Sequence, residues 1–137
     1  MKINAYLSFA GNCEDAFKFY EKCFRGNIVA MMNHEHPDMA GHIPAGWGEK
    51  IMHARLYVGD QVLMGSDTPP DDYKVPEGIN VALGVETAEE AERIFGELSD
   101  GGQVIMPMDE PFFAIRFGMV RDQFGIPWMV ICERQQM

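Results

Sequence analysis

Positive charge is scarce in this chain. Eleven Lys and Arg stand against 21 Asp and Glu, a formal net charge of −10. No basic stripe runs along the sequence. Nucleic acid and anionic membrane surfaces are read by clustered Lys and Arg, so neither is an expected partner. Cysteine is scarce too. Cys13, Cys23 and Cys132 cannot all pair within one chain, and none forms a CxxC. Three reduced, buried thiols are expected, as in cytosolic proteins. Cys13 and Cys23 sit about three turns apart on one expected helix, too far to bridge. Long apolar runs are missing as well. Apolar residues make up 47% of the chain, yet no run approaches the roughly 20 residues of a membrane span. The stretch Met1 to Tyr6 lacks a signal-peptide pattern and reads as a first strand. The expected location is the cytoplasm.

What the chain does have is a repeat of itself. Ala5-Tyr6-Leu7-Ser8-Phe9, then Glu14 to Tyr20, then Gly26 return as Asn80-Val81-Ala82-Leu83-Gly84, then Glu89 to Phe95, then Gly101. The shift is 75 residues each time. A constant shift across strand, helix and turn means one supersecondary unit used twice. Two like units commonly meet at a shared cleft, which is where a functional site is expected.

Each unit reads as βαβββ. Residues 2–9 alternate and form a strand. Asn12 is placed to cap a helix whose apolar face holds Ala16, Phe17, Phe19, Tyr20, Cys23 and Phe24, ending at Arg25-Gly26. Strands are expected at 27–34, 50–58 and 61–66, the last two joined by Gly59-Asp60. Residues 35–49 hold Pro37, Gly41, Pro44, Gly46 and Gly48, a loop of the length found in lids. After a linker at 68–77 comes a strand at 79–86, then a helix at 88–99 with Thr87 as cap and Glu90 completing a capping box. Strands at 103–108, 113–121 and 126–133 complete the second unit. The expected fold is α+β, a single 137-residue domain: one module at 1–67, one at 78–137, each curling its sheet into half of an open barrel, with the helix on one sheet face and a cavity on the other.

Strand alternation nominates cavity residues. In 50–58, Met52, Ala54, Leu56 and Val58 should pack on the helix, leaving His53, Arg55 and Tyr57 toward the cavity. In 113–121, Phe113, Ile115, Phe117 and Met119 are assigned to the core, and Ala114, Arg116, Gly118 and Val120 to the cavity. Arg55 and Arg116 then occupy matching places in the two modules. Two guanidiniums facing one cleft suit a carboxylate or phosphonate. The competing expectation is that each Arg pairs with a local Asp or Glu. His53 is the acid–base candidate. His34, Glu35, His36 and His42 cluster around the loop and, with His53, form an alternative metal set. Ser66-Asp67 reads as a turn rather than a nucleophile site. Eleven Met, together with Trp128, Phe112 and Phe113, would fill the core or line an apolar pocket.

Several stretches carry a family resemblance: Tyr6-Leu7-Ser8-Phe9 with Gly11-Asn12 and Ala16 to Tyr20; Ile51-Met52-His53-Ala54-Arg55-Leu56; Leu63 to Asp67; and Arg116 through Met129. Together they span nearly the whole chain, which resembles the PhnB-like branch of the vicinal oxygen chelate superfamily of glyoxalases, bleomycin-resistance proteins and extradiol dioxygenases. The resemblance implies paired βαβββ modules and a homodimer. It also brings the label of a ubiquinone-pathway methyltransferase, which this sequence does not support. No glycine-rich loop joins a first strand to a helix, where a nucleotide-like cofactor needs one.

Catalytic members hold one divalent metal through four His, Glu or Gln side chains. By register those positions fall here at Ala5, Met64, Asn80 and Met129. Alanine has no donor, thioethers are soft, and one amide oxygen is weak, so zinc, nickel or manganese would not be held. No metal or cofactor is expected. The leading functional expectation is a protein that binds a small anionic molecule in the inter-module cleft, through Arg55, Arg116, Tyr57, Met64, Asn80, Met129 and Trp128, with His53 as the catalytic candidate. Two alternatives stand beside it. One is a lyase, isomerase or dioxygenase-type enzyme using His53 or the His34/His36/His42 group. The other is a non-catalytic dimerisation module.

Overall fold

Among the described residues, eight strands and two helices follow one another in two rounds of the same order. The computed structural model describes residues 1–35 and 46–134. His36, His42 and most of the 35–49 loop lie outside that range. The elements are β1 (Tyr6–Phe9), α1 (Cys13–Phe24), β2 (Asn27–Asn33), β3 (Ile51–Val58) and β4 (Gln61–Asp67), then β5 (Val81–Gly84), α2 (Ala88–Ser99), β6 (Gln103–Asp109), β7 (Ala114–Arg121) and β8 (Pro127–Glu133). They form two compact units, Met1–Lys74 and Val75–Met137. Each holds one four-stranded mixed sheet, ordered β1-β4-β3-β2 and β5-β8-β7-β6. The first strand of each unit is parallel to the last, and the other pairings are antiparallel. The expected α+β class and paired βαβββ modules are therefore present. Among the described residues no helix is long and apolar enough to cross a membrane.

Each helix covers one sheet face with large side chains set over small ones. α1 buries Cys13, Ala16, Phe17, Tyr20 and Cys23; α2 buries Ala91, Ile94, Phe95 and Leu98. Phe17 lies over Gly65 of β4, where an added Cβ would stand 2.8 Å from its ring. Phe95 lies over Gly118 of β7, where an added Cβ would stand 2.6 Å from its ring. Close packing requires the helix and sheet surfaces to be complementary in size. Phe9, Phe17 and Tyr20 complete the first core with centroids 5.9–6.4 Å apart.

Two buried aspartates hold backbone. Asp67, at the end of β4, accepts from the N–H groups of Gly11 (3.1 Å), Cys13 (2.8 Å) and Ile51 (2.8 Å). It ties the start of α1 to the start of β3 and places a negative charge at the positive end of the helix. Asn12 was expected to cap this helix, but its side chain makes no capping bond. The carboxylate from β4 takes that role, and the Asn12 side-chain oxygen is buried with no hydrogen-bond partner among the described residues. Thr87 does cap α2, accepting from Glu90 N at 3.1 Å. Asp122 holds the β7–β8 turn, accepting from Phe124 N, Ile126 N and the Trp128 indole at 2.7–3.0 Å.

The repeat is not a uniform shift. Gly26 packs against the Tyr57 carbonyl, and an added Cβ there would stand 2.4 Å from it; Gly102 repeats this contact with the Arg121 carbonyl, also at 2.4 Å. The structural mate of Gly26 is thus Gly102, one residue beyond the Gly101 that a shift of 75 selects.

Candidate functional site

The sheet face turned away from α1 gathers most of the first-module candidates. One register row runs across four strands: Tyr6 pairs with Met64, Met64 with Arg55, and Arg55 with Ala30. Residues opposite each other in a sheet share a face. His53 and Tyr57 flank Arg55 on the same face of β3, while Ala54 and Leu56 are buried on the other. The alternation read for β3 therefore holds.

Three contacts organise this face. The Tyr6 hydroxyl and His53 Nδ1 lie 3.1 Å apart, with the two rings stacked at a 25° interplanar angle. The Arg55 guanidinium carbon lies 5.8 Å from the centre of the half-exposed Tyr57 ring, within cation–π range. Arg55 Nε is buried and has no hydrogen-bond partner among the described residues. No carboxylate within ion-pair distance of Arg55 is found among the described residues either.

Arg116 is a different case. It bonds Glu92 of α2 at 3.1 Å and Glu110 at 3.5 Å, and donates to its own neighbour's carbonyl, Ile115 O, at 2.7 Å. Its contact with α2 places Arg116 on the helix side of β7. Ala114, Gly118 and Val120 share that side and are buried. The expected faces of β7 are thus inverted. Phe117 and Met119 lie on the side away from α2, and Ala114, Arg116, Gly118 and Val120 lie toward it. The small residues that suggested a cavity wall are the ones that let Phe95 approach.

Arg55 and Arg116 do not occupy matching places either. Arg55 pairs with Met64, whereas the residue that pairs with Met129 is Met119. The second-module row is Ala82, Met129, Met119 and Met106, with no charge in it. Beside it a concavity of about 460 Å³ is lined by Met106, Met108, Pro111, Phe113 and Phe117, with Asp109 as its acid. The sequence signal for this concavity was the large apolar set of 113–119, assigned above to the core.

The other candidates fall as follows. Trp128 is 0% exposed and its indole bonds Asp122, so it is a core residue. Met64 and Met129 are half-buried, and Asn80 is exposed just before β5. His34 Nδ1 lies 2.9 Å from the Lys50 carbonyl. Ser66 continues β4 rather than turning. Cys13, Cys23 and Cys132 are buried, and burial beside Asp67 pushes the Cys13 thiol well above its ordinary value.

The metal that the superfamily implies does not fit these residues. Tyr6 pairs with Met64, and Ala82 with Met129, so the residues beside the two methionines on β1 and β5 are Tyr6 and Ala82 rather than Ala5 and Asn80. A phenol, two thioethers and a methyl group do not make a divalent-metal site. Among the described residues no group of three His, Cys, Asp or Glu is placed to hold a metal. A nucleotide-like methyl donor fits no better. The Gly11 and Cys13 N–H groups at the start of α1 are already taken by Asp67, and the start of α2 is capped by Thr87.

Comparison with known proteins agrees with this architecture. The family described as 3-demethylubiquinone-9 3-methyltransferase matches residues 1–131. Protein YjdN of Escherichia coli (strain K12) is 33% identical over 144 residues, covering 99% of this chain and 98% of YjdN. The crystal structure of PA1353 from Pseudomonas aeruginosa is 43% identical with a TM-score of 0.87, covering 98% of this chain and 99% of that one. The PhnB protein of Bacillus cereus is 25% identical with a TM-score of 0.81, covering 96% and 99%. A glyoxylase/bleomycin resistance protein/dioxygenase domain from Frankia sp. EAN1pec, 10% identical with a TM-score of 0.64 over 96% and 94%, shares the fold. The chain belongs to the PhnB-like family described as 3-demethylubiquinone-9 3-methyltransferase, built on the fold of the glyoxalase/bleomycin resistance/dioxygenase superfamily.

Proposed function

We propose that this protein binds a small organic anion, a carboxylate or phosphonate, at Arg55 on the outer face of the first sheet, without the divalent metal of its superfamily. One observation carries the reading. In a chain of net charge −10, Arg55 has no acidic partner among the described residues, and its Nε is buried and unpaired. A guanidinium without a carboxylate partner leaves its charge unanswered, and a bound anion offsets that charge. Arg116 lacks that opportunity because Glu92 and Glu110 already hold it. The Tyr57 ring supports the guanidinium, while Tyr6 and Met64 give the bound molecule's body an apolar surface.

The test is calorimetric titration with benzoate and methylphosphonate. A charge-assisted hydrogen bond contributes about 1.5–3 kcal/mol, so Arg55→Gln should weaken binding about tenfold to a hundredfold. Arg116→Gln should leave it within about twofold, because its charge is already neutralised. Equal losses in the two variants, or no binding to the unaltered protein, would sink the proposal.

A further inference from the structure

We infer that the anion is a dianion of the dicarboxylate class, with His53 reading its second carboxylate; this rests on the Arg55 reading above. His53 and Arg55 are on the same face of β3, two residues apart, which is about 6.8 Å along an antiparallel strand. The Tyr6 hydroxyl at 3.1 Å from Nδ1 and the stacked phenol fix the imidazole ring in place. With the Tyr6 hydroxyl as donor, Nδ1 is the acceptor and the ring proton sits on Nε2, the tautomer in which His53 reads a carboxylate. Among the described residues Nε2 has no hydrogen-bond partner. The face therefore offers two separated donors, the Arg55 guanidinium and His53 Nε2–H, and no carboxylate that answers either of them.

Two fixed donors on one face discriminate by acceptor count. A ligand with one carboxylate satisfies Arg55 and leaves His53 Nε2 to water or to an apolar tail. A ligand with two satisfies both. Of the neighbours of His53, Met32 on β2 and Met64 on β4 carry no donor, and Ser66 on β4 carries only a neutral hydroxyl. Tyr6 is a positioning residue in this arrangement, acting through the imidazole.

The experiment compares succinate with butyrate and glutarate with valerate, pairs of equal carbon number, by calorimetric titration at one pH and ionic strength. The unaltered protein should bind the dicarboxylate of each pair about tenfold tighter, the worth of one added charge-assisted hydrogen bond. His53→Phe keeps a ring to stack on Tyr6 and removes the donor, so the preference should fall below about twofold while butyrate binding persists. Tyr6→Phe keeps the stack and frees the imidazole, so it should lower the preference about threefold without abolishing it. Equal binding of mono- and dicarboxylates to the unaltered protein, or a preference that survives His53→Phe, overturns the role of His53 and leaves Arg55 standing. Failure of every acid to bind overturns Arg55 and His53 together.

Discussion

The two units solve the same packing problem and present different faces. In both, a helix lays a phenylalanine over a sheet glycine: Phe17 on Gly65, Phe95 on Gly118. Both follow the helix with a glycine that lets a strand carbonyl approach, Gly26 and Gly102. The outer rows then part company. The first carries Tyr6, Met64, Arg55 and Ala30, the second Ala82, Met129, Met119 and Met106. Steric fit constrains the helix side, where a methylene too many is felt. The outer side escapes that constraint, and there one unit has a polar, donor-rich surface and the other an apolar one. The buried aspartates differ in the same spirit. Asp67 joins a helix start to a strand, and Asp122 closes a hairpin.

The aspartates offer the strongest way to break the comparison. Asp67→Ala leaves three backbone N–H groups without an acceptor, and Asp122→Ala leaves two and an indole. Each should cost on the order of 3–5 kcal/mol. Hydrogen exchange resolved along the chain should show Asp67→Ala loosening residues 11–13 and 51, and Asp122→Ala loosening 124–128. Equal loosening of both units by either substitution would show that they are not separate packing problems.

Smaller effects are expected at the glycines beneath the helices. Gly65→Ala and Gly118→Ala should each cost about 1–3 kcal/mol through overpacking, read from urea unfolding. Phe17→Leu should recover part of the loss in Gly65→Ala and none of it in Gly118→Ala. A rescue that ignores which unit is altered would contradict the pairing of Phe17 with Gly65.

The caps sharpen the comparison further. Thr87→Ala should lower stability by about 1 kcal/mol, whereas Asn12→Ala should not lower it, since Asn12 makes no capping bond and its buried oxygen has no partner to lose among the described residues. Thermal melts of the two variants measure the difference directly. The smallest response belongs to the thiols. Burial raises the Cys13 thiol, so the folded protein should show no added Cys13 alkylation between pH 7 and pH 9. In urea all three thiols should react. A burst of Cys13 labelling in the native protein would mean that α1 opens.

The candidate site was partly legible before the fold was known. His53, Arg55 and Tyr57 share one face of β3, as its alternation predicts, because that strand carries small or aliphatic residues on its helix side. The same rule inverted β7. There the helix side is lined by Ala114, Gly118 and the ion-paired Arg116, and the bulky residues lie opposite. Hydrophobicity assigns a strand face only when the covering helix does not supply the bulk itself. The capping prediction split in the same way: Thr87 follows local geometry, while the start of α1 is answered by Asp67, more than 50 residues away.

By itself, then, the sequence determined the two βαβββ units and their helices, because these depend on periodicity, turn chemistry and residue type, all of which are local. Only the tertiary structure decided which arginine the carboxylates of the described residues hold. Arg55 and Arg116 are chemically alike, and both lie in strands of this acidic chain. What separates them is that the α2 packing carries Glu92 to Arg116, and that no carboxylate among the described residues reaches Arg55. Charge pairing across distant elements is set by packing, which no stretch of sequence contains.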